Sequence, residues 1–257
     1  MSQEADNLLL ATLSAGMVGI GDRSGAEDKE NLLHAVRSDG VIIKPDTPLL
    51  PIDAMYTAGS RRPMIAAAHT DHGALRTGYV FSYGRGFEAV SVAFTPAQVG
   101  VPPDVYVYDA RSRTARRLAA SDAFTFGLAP NATAYFVVAP VSRAGIALLG
   151  DEGKFVPDGR KRVAALADEP DRLTATVMFA PQEQSPCGGS ATPRNDPRSQ
   201  RRPAPRMKSL LTSEPAVLKF RCRRARSRCS RAPAGTPCVK RSFPCTVGEP
   251  TMKRSGW

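Results

Sequence analysis

"MVGIGDRSGAEDKENLLHAVRSDGVIIKPD", residues 17–46, holds two apolar runs and, between them, a segment with the marks of a helix. "MVGIG" is short and apolar, as in a strand buried on both faces. It stops at Gly21-Asp22. Ser24 and Glu27 stand at capping-box spacing, in which each side chain satisfies a backbone N–H where a helix begins. Leu32, Leu33 and Val36 fall on one face of "DKENLLHAV", and Gly40 follows the last turn. "VIIK" is the next expected strand, after which Pro45, Pro48 and Pro51 stop any helix from continuing. Upstream, "ADNLLLATLSA" (5–15) places Leu8, Leu9 and Leu13 at helical spacing before Gly16. Residues 1–45 therefore read helix–strand–helix–strand, an α/β segment.

After Pro51 the texture changes. "MIAAAH", "YVFSY", "VSVAF", "VYVYD", "FTFGL", "AYFVVAPV", "GIALLG", "RVAAL" and "ATVMF" are short β-prone runs between turn residues. Such spacing predicts an antiparallel β-sandwich. In "VYVYD", Val105 and Val107 should face one way and Tyr106 and Tyr108 the other. "GDEGK" and "PDGR" supply turn chemistry between the later strands. Beyond Gln184, Arg, Pro, Ser and Cys dominate without periodicity, and a disordered tail is expected because so little apolar surface could offset its ordering entropy. The predicted organisation is an α/β segment over 1–50, a β-sandwich over 51–184 and a basic tail over 185–257.

The charge divides at the same place. The formal net charge of the 257 residues is +11, but residues 185–257 hold 17 Lys+Arg and 3 Asp+Glu, a balance of +14, which leaves −3 for 1–184. The body is thus an ordinary, slightly acidic globular sequence. All five cysteines lie in the tail, so the body must be held by its core rather than by disulfides. The first twenty residues include Glu4 and Asp6 where a secretory signal would be basic, and "LLLATL" is too short to span a membrane. A cytoplasmic location is the default expectation, with no membrane association.

The stretch from "LSAGMVGIGD" through "HAVRSDGVIIKPDTPLLPIDAMY" resembles the end of the catalytic barrel in glycoside hydrolase family 36, in its raffinose-synthase-like and α-galactosidase-like branches. "YVFSYGRG", "VYVYDARS" and "GDEGKFVPDGRKR" are similar to strands and turns of the β-sandwich that follows the barrel there. The resemblance covers about residues 5–182. It implies that 1–50 is a remnant of a (β/α)8 barrel and that a parent protein hydrolyses or transfers α-galactosyl groups. It also implies that the nucleophile and the acid/base sit on earlier barrel strands than those present here. Retaining glycosidases need both carboxyl groups beside the scissile bond, so an inactive fragment is expected. On this reading Met1 is an internal methionine of a longer enzyme and the tail from Ser185 is an out-of-frame translation.

Asp22, at the end of the expected strand, either hydrogen-bonds a sugar hydroxyl, as the resemblance implies, or helps to start the next helix, where a carboxylate suits the helix dipole. Asp39, Asp46 and Asp53 read as turn and link residues. His69 and His72 flank Asp71 in "HTDH", but no further ligand cluster accompanies them, and zinc needs three or four ligands. They read as core-edge histidines, and His34 as a surface or packing residue. Gly84 and Gly86 do not open a helix, so no phosphate loop is expected. Ser14 and Ser142 lack the surroundings of a nucleophile elbow. Cys222, Cys229, Cys238 and Cys245 form no CxxC pair. No metal, cofactor or catalytic residue is expected in this chain.

Two other functions follow from the residues. A β-sandwich could bind saccharide, although the body has no Trp platform. The basic tail could hold polyanions non-specifically by charge alone. Residues 5–45, without barrel neighbours, should expose apolar faces and limit solubility unless they repack on the β domain.

Overall fold

Strand Val105–Asp109 pairs antiparallel with Thr133–Pro140, and its side chains alternate as the sequence predicts. Tyr106 and Tyr108 join a cluster with Tyr79, Phe81, Tyr135 and Val137, whereas Val105 and Val107 join Val80, Phe136 and Val138 on the opposite face. Both faces are buried, so the alternation is aromatic against aliphatic rather than apolar against polar.

The computed structural model describes residues 3–180 except 20, 24, 58–62, 87 and 120, together with Glu183 and three strands farther along. The helices are α1 (Gln3–Leu13), α2 (Lys29–Ala35) and α3 (Asp53–Thr57). The strands run β1 (Leu50–Pro51), β2 (Met64–His72), β3 (Leu75–Tyr83), β4 (Val90–Phe94), β5 (Val105–Asp109), β6 (Thr114–Leu118) and β7 (Phe124–Leu128). They continue as β8 (Thr133–Pro140), β9 (Ala147–Asp151), β10 (Val163–Asp168), β11 (Arg172–Phe179), β12 (Cys187–Ser190), β13 (Ala216–Arg223) and β14 (Thr246–Val247). The described chain is mainly β, and every strand pairing is antiparallel.

The central sheet has the order β1-β2-β3-β8-β5-β6. The β4–β7 pair covers the face that carries Val105 and Val107, with Val92, Phe94 and Leu128. There Phe94, Phe124, Phe126 and Phe136 pack with ring centroids 4.7–6.3 Å apart, the offset and edge-on range that aromatic rings favour. The aromatic face is covered by α1, α2 and the chain around Leu149, Phe155 and Val156. A second sheet has the order β10-β11-β13-β14, and β9 pairs with β12. No described helix is long and apolar enough to cross a membrane.

The amino-terminal segment departs from the expected α/β pattern. "MVGIG" forms no strand among its described residues, and Met17 is 97% exposed. A strand is held by its neighbour's backbone, and none of the described strands pairs with this stretch. "VIIK" contributes only a bridge, Ile42 to Val36, folded back on the end of α2. The cap of α2 is Asp28, whose side chain accepts from Glu30 N–H and Asn31 N–H, while Glu27 turns back to accept from Gly25 N–H. Ala35 is the buried residue of α2, and Leu32, Leu33 and Val36 are only partly covered.

The apolar faces expected to be exposed are instead seated on the sheet. Leu9, Leu13, Ala35 and Ile43 lie in the aromatic-face cluster, fully or almost fully buried. Asp6 accepts from Thr133 Oγ1 (2.7 Å) and pairs with Arg111, and Leu49 N–H donates to Leu13 O (3.0 Å). Because Leu13 is enclosed on all sides, Leu13→Ala is expected to cost about 2–5 kcal/mol. Urea unfolding would measure this, and a cost below about 1 kcal/mol would mean that α1 does not belong to the core.

Strand β6 was not anticipated. Thr114 to Arg117 are all exposed and only Leu118 is buried, so an edge strand leaves no alternation to read. In the basic tail, β13 lies beside β11 in unbroken register from Arg172↔Arg223 to Phe179↔Ala216. This pairing supplies order that a composition without periodicity did not suggest. Strands β12 and β14 are described as well, and the expectation of disorder over the remainder of 185–257 lies outside the described residues.

Candidate functional site

Four ionised side chains meet in the interior where α2, the β9–β10 connection and the end of β11 converge. Arg162 is wholly buried. Its Nε lies 2.9 Å from Asp151 Oδ2, and its Nη2 and Nη1 donate to Glu183 Oε1 (2.5 Å) and Oε2 (3.0 Å). Nη1 also donates to Met178 O (2.7 Å), and Phe179 presents its ring 4.9 Å from the guanidinium carbon. Lys154 Nζ donates to Leu33 O (2.6 Å) and Val36 O (2.8 Å), the carbonyls left over at the end of α2, and lies 3.7 Å from Glu183.

Two cations thus face two anions, and the cluster is neutral as a set. Burial raises the Glu183 carboxyl, but the hydrogen bonds from Arg162 and Ala180 N–H, with the charges of Arg162 and Lys154, hold it below the ordinary glutamate value. Burial pulls Lys154 below the ordinary lysine value, with Arg162 adding to this and Asp151 and Glu183 opposing it. Nearby, Arg37 grips Asp39 and donates to Lys161 O (3.1 Å). Asp39 is held below the usual carboxylate range chiefly by the hydrogen bonding of the Arg37 side chain to its carboxylate.

A second buried group lies at the end of the β2–β3 hairpin. His72 Nε2 donates to Asp158 O (2.9 Å) and lies 3.6 Å from Asp158 Oδ1, and Thr77 Oγ1 donates to Asp158 Oδ2 (2.6 Å). Tyr79 and Thr70 share a hydrogen bond beside it (3.1 Å), and burial with the Asp158 charge pushes the Tyr79 hydroxyl far up.

The other sequence candidates scatter. Asp22 is exposed in an irregular stretch, with no hydrogen bond or ion pair among the described residues. Asp46 accepts from Asp71 N–H and Arg160, and Asp53 begins α3, as expected of link residues. His69 meets Thr47 (3.1 Å), and His34 meets Gly153 O (2.8 Å) and stacks on Phe155. The described residues hold no cluster of three or more metal-ligating side chains. Cys187 and Cys222 lie on strands β12 and β13, while Cys229, Cys238 and Cys245 fall outside the described residues.

Asp151, Lys154, Asp158, Arg162 and Glu183 were not anticipated as a cluster. Their only signal is the density of charge around Phe155-Val156 in "GDEGKFVPDGRKR". That density reads equally well as solvated turns, because burial here depends on partners outside the run, among them Glu183, His72, Thr77, Leu33 and Val36. Chemically, the cluster is a clamp, in which Asp151 and Glu183 converge on one guanidinium. A shallow groove of about 260 Å³ runs along β10–β11, where its carboxylate, Glu169, is held by Arg172.

No family model and no curated protein matches the chain. Among solved structures it is similar to α-galactosidase I from Mortierella vinacea, at 12% identity and a TM-score of 0.37 over 55% of this chain and 36% of that one. It is similar to a candidate α-galactosidase/melibiase from Bacteroides fragilis, at 14% and 0.35 over 53% of this chain and 28% of that one. A candidate α-N-acetylgalactosaminidase from Bacillus halodurans aligns at 17% and 0.32 over 38% of this chain and 22% of that one. The likeness is too slight to bear on activity, and the aligned part spans 22–36% of those proteins.

Proposed function

We propose that this is a glycoside hydrolase-like, carbohydrate-active protein of the kind that acts on α-galactosides, and that the chain in hand supplies a non-catalytic β-sandwich. The resemblance of residues 5–182 to family 36 supports the class. The observation that carries the non-catalytic part is the commitment of the buried carboxylates. Asp151 and Glu183 are neutralised by Arg162, and Asp158 is enclosed by His72 and Thr77. Glycoside hydrolysis needs one carboxyl group ready to donate a proton and another facing the sugar across a cleft. None of these three is so placed.

In this reading the β4–β7 pair and the central sheet are the two layers of the sandwich. Asp22 is the exposed side chain left to meet a sugar hydroxyl. Purified chain incubated with an aryl α-galactoside is expected to release the phenol no faster than buffer. Turnover that scales with protein and survives repurification would overturn the proposal. Calorimetric titration with melibiose then tests Asp22, since any binding should be lost in Asp22→Ala.

A further inference from the structure

The second sheet has one face left open, and small or hydroxylic residues build it. Burial alternates along β11: Leu173, Ala175, Val177 and Phe179 are buried, whereas Arg172, Thr174 and Thr176 between them are half-buried. On β10, Ala167 and Ala165 stand opposite Thr174 and Thr176, and both are exposed. These residues are the floor of the shallow groove. Glu169, at its end, is held by Arg172, and Asp171 in the same turn also acts on that guanidinium.

Strand β13 continues the pattern on the other side of β11. Lys219 stands opposite Thr176, Arg221 opposite Thr174 and Arg223 opposite Arg172. Ala216, Leu218, Phe220 and Cys222 stand opposite Phe179, Val177, Ala175 and Leu173. Residues directly opposite one another in an antiparallel pair share a face. Four apolar residues of "AVLKFRCR" therefore fall on the buried face, and Lys219, Arg221 and Arg223 fall with Val217 on the open one. The period of a strand sets these three cations about 7 Å apart in a row beside the groove.

We infer that this face binds the phosphate backbone of a single nucleic-acid strand, with Lys219, Arg221 and Arg223 neutralising phosphates and Thr174 and Thr176 donating to their oxygens.

The charge balance sets the sign of the partner. Glu169 and Asp171 are the carboxylates beside the face among the described residues, and Arg172 answers to both, so the cations of β13 are in excess. Lysine and arginine on phosphates release counterions, and threonine hydroxyls are ordinary donors to phosphate oxygens. Spacing selects the form. Each strand of a duplex presents a charge about every 3.4 Å of axis, whereas an extended single strand sets its phosphates farther apart, nearer to the row on β13. Among the described residues the open face of β10, β11 and β13 carries no aromatic side chain. Bases would find nothing to stack on, and binding should be indifferent to sequence.

Fluorescence anisotropy of a labelled oligothymidylate of about ten nucleotides with the full chain, between about 50 and 200 mM salt, tests the inference. K219Q/R221Q/R223Q is expected to reduce the slope of log affinity against log salt by about 2, at about 0.7 for each phosphate. Removing equal charge elsewhere in the tail, as in R198Q/R201Q/R202Q, should change it much less. A further arm lies on β11, outside the tail. T174E/T176E sets carboxylates opposite Arg221 and Lys219 and should weaken binding roughly tenfold, while T174Q/T176Q, of the same length and still a donor, should weaken it by no more than about twofold. Equal losses from the two triple variants, or binding unmoved by T174E/T176E, would mean that the strand is held by the charge of the tail wherever it lies, and would overturn the inference. Equal losses from the Glu and Gln pairs would overturn it too, as would a duplex or a heparin oligosaccharide of equal charge binding more tightly than the single strand, or no binding at the lowest salt.

Discussion

Arg162→Ala is expected to lower the unfolding free energy by about 3–5 kcal/mol, a large share of what a domain of this size has to lose. The magnitude follows from what the substitution leaves behind. Asp151 and Glu183 would remain inside the protein with one guanidinium fewer between them, and Lys154, 3.7 Å from Glu183, could compensate only one. Removing one partner of a buried pair costs far more than the pair contributes net, because desolvation of the survivor is no longer offset. The Met178 carbonyl would lose its donor and Phe179 its cation.

Combining Arg162→Met with Asp151→Asn and Glu183→Gln should restore more than half of the loss, since the stranded charges are then gone. Denaturant unfolding of the single and triple variants measures both quantities. A single-variant cost below about 1 kcal/mol would show that water reaches the cluster and that the clamp is superficial.

The same cluster shows where the sequence stops being legible. The strands of the central sheet could be read because period-2 alternation is local. Tyr106 and Tyr108 against Val105 and Val107 announce two faces whatever covers them. The cover itself is not local. Leu9 and Leu13 predict a helix with a buried stripe, but not that the stripe meets Tyr79 and Phe81. "MVGIG" reads as a buried strand because apolar runs of that length commonly are, yet a strand needs a paired backbone and finds none among the described residues. Asp28, four residues beyond the anticipated cap Ser24 and immediately before the first helical turn, caps α2, and its oxygen reaches two N–H groups. The charged residues of 151–162 carry turn signals and ion-pair partners at once, and only the closure of β9, β10 and β11 decides between them.

Gly150→Ala is expected to be almost as damaging, at about 2–5 kcal/mol, although it adds only one carbon. Gly150 has φ +81°, in the left-handed region, and a Cβ there would lie 2.3 Å from Pro157 O and 2.6 Å from its carbonyl carbon. Both are backbone atoms, so no side chain can swing away to make room. The two segments would have to part, and Asp151 N–H would lose Pro157 O, now 3.0 Å away. Gly150 precedes Asp151, which faces Arg162, and Pro157 precedes Asp158, which faces His72. One misplaced methyl would therefore disturb both buried polar groups.

Gly73 provides the control. Its φ is +77°, but nothing lies within 4 Å of a Cβ placed there, so Gly73→Ala should show only the backbone cost of about 1–2 kcal/mol. Thermal unfolding of the two variants side by side separates strain from collision. If both lost the same stability, the close approach of Gly150 to Pro157 would contribute nothing, and the two polar groups would have to be positioned by other contacts.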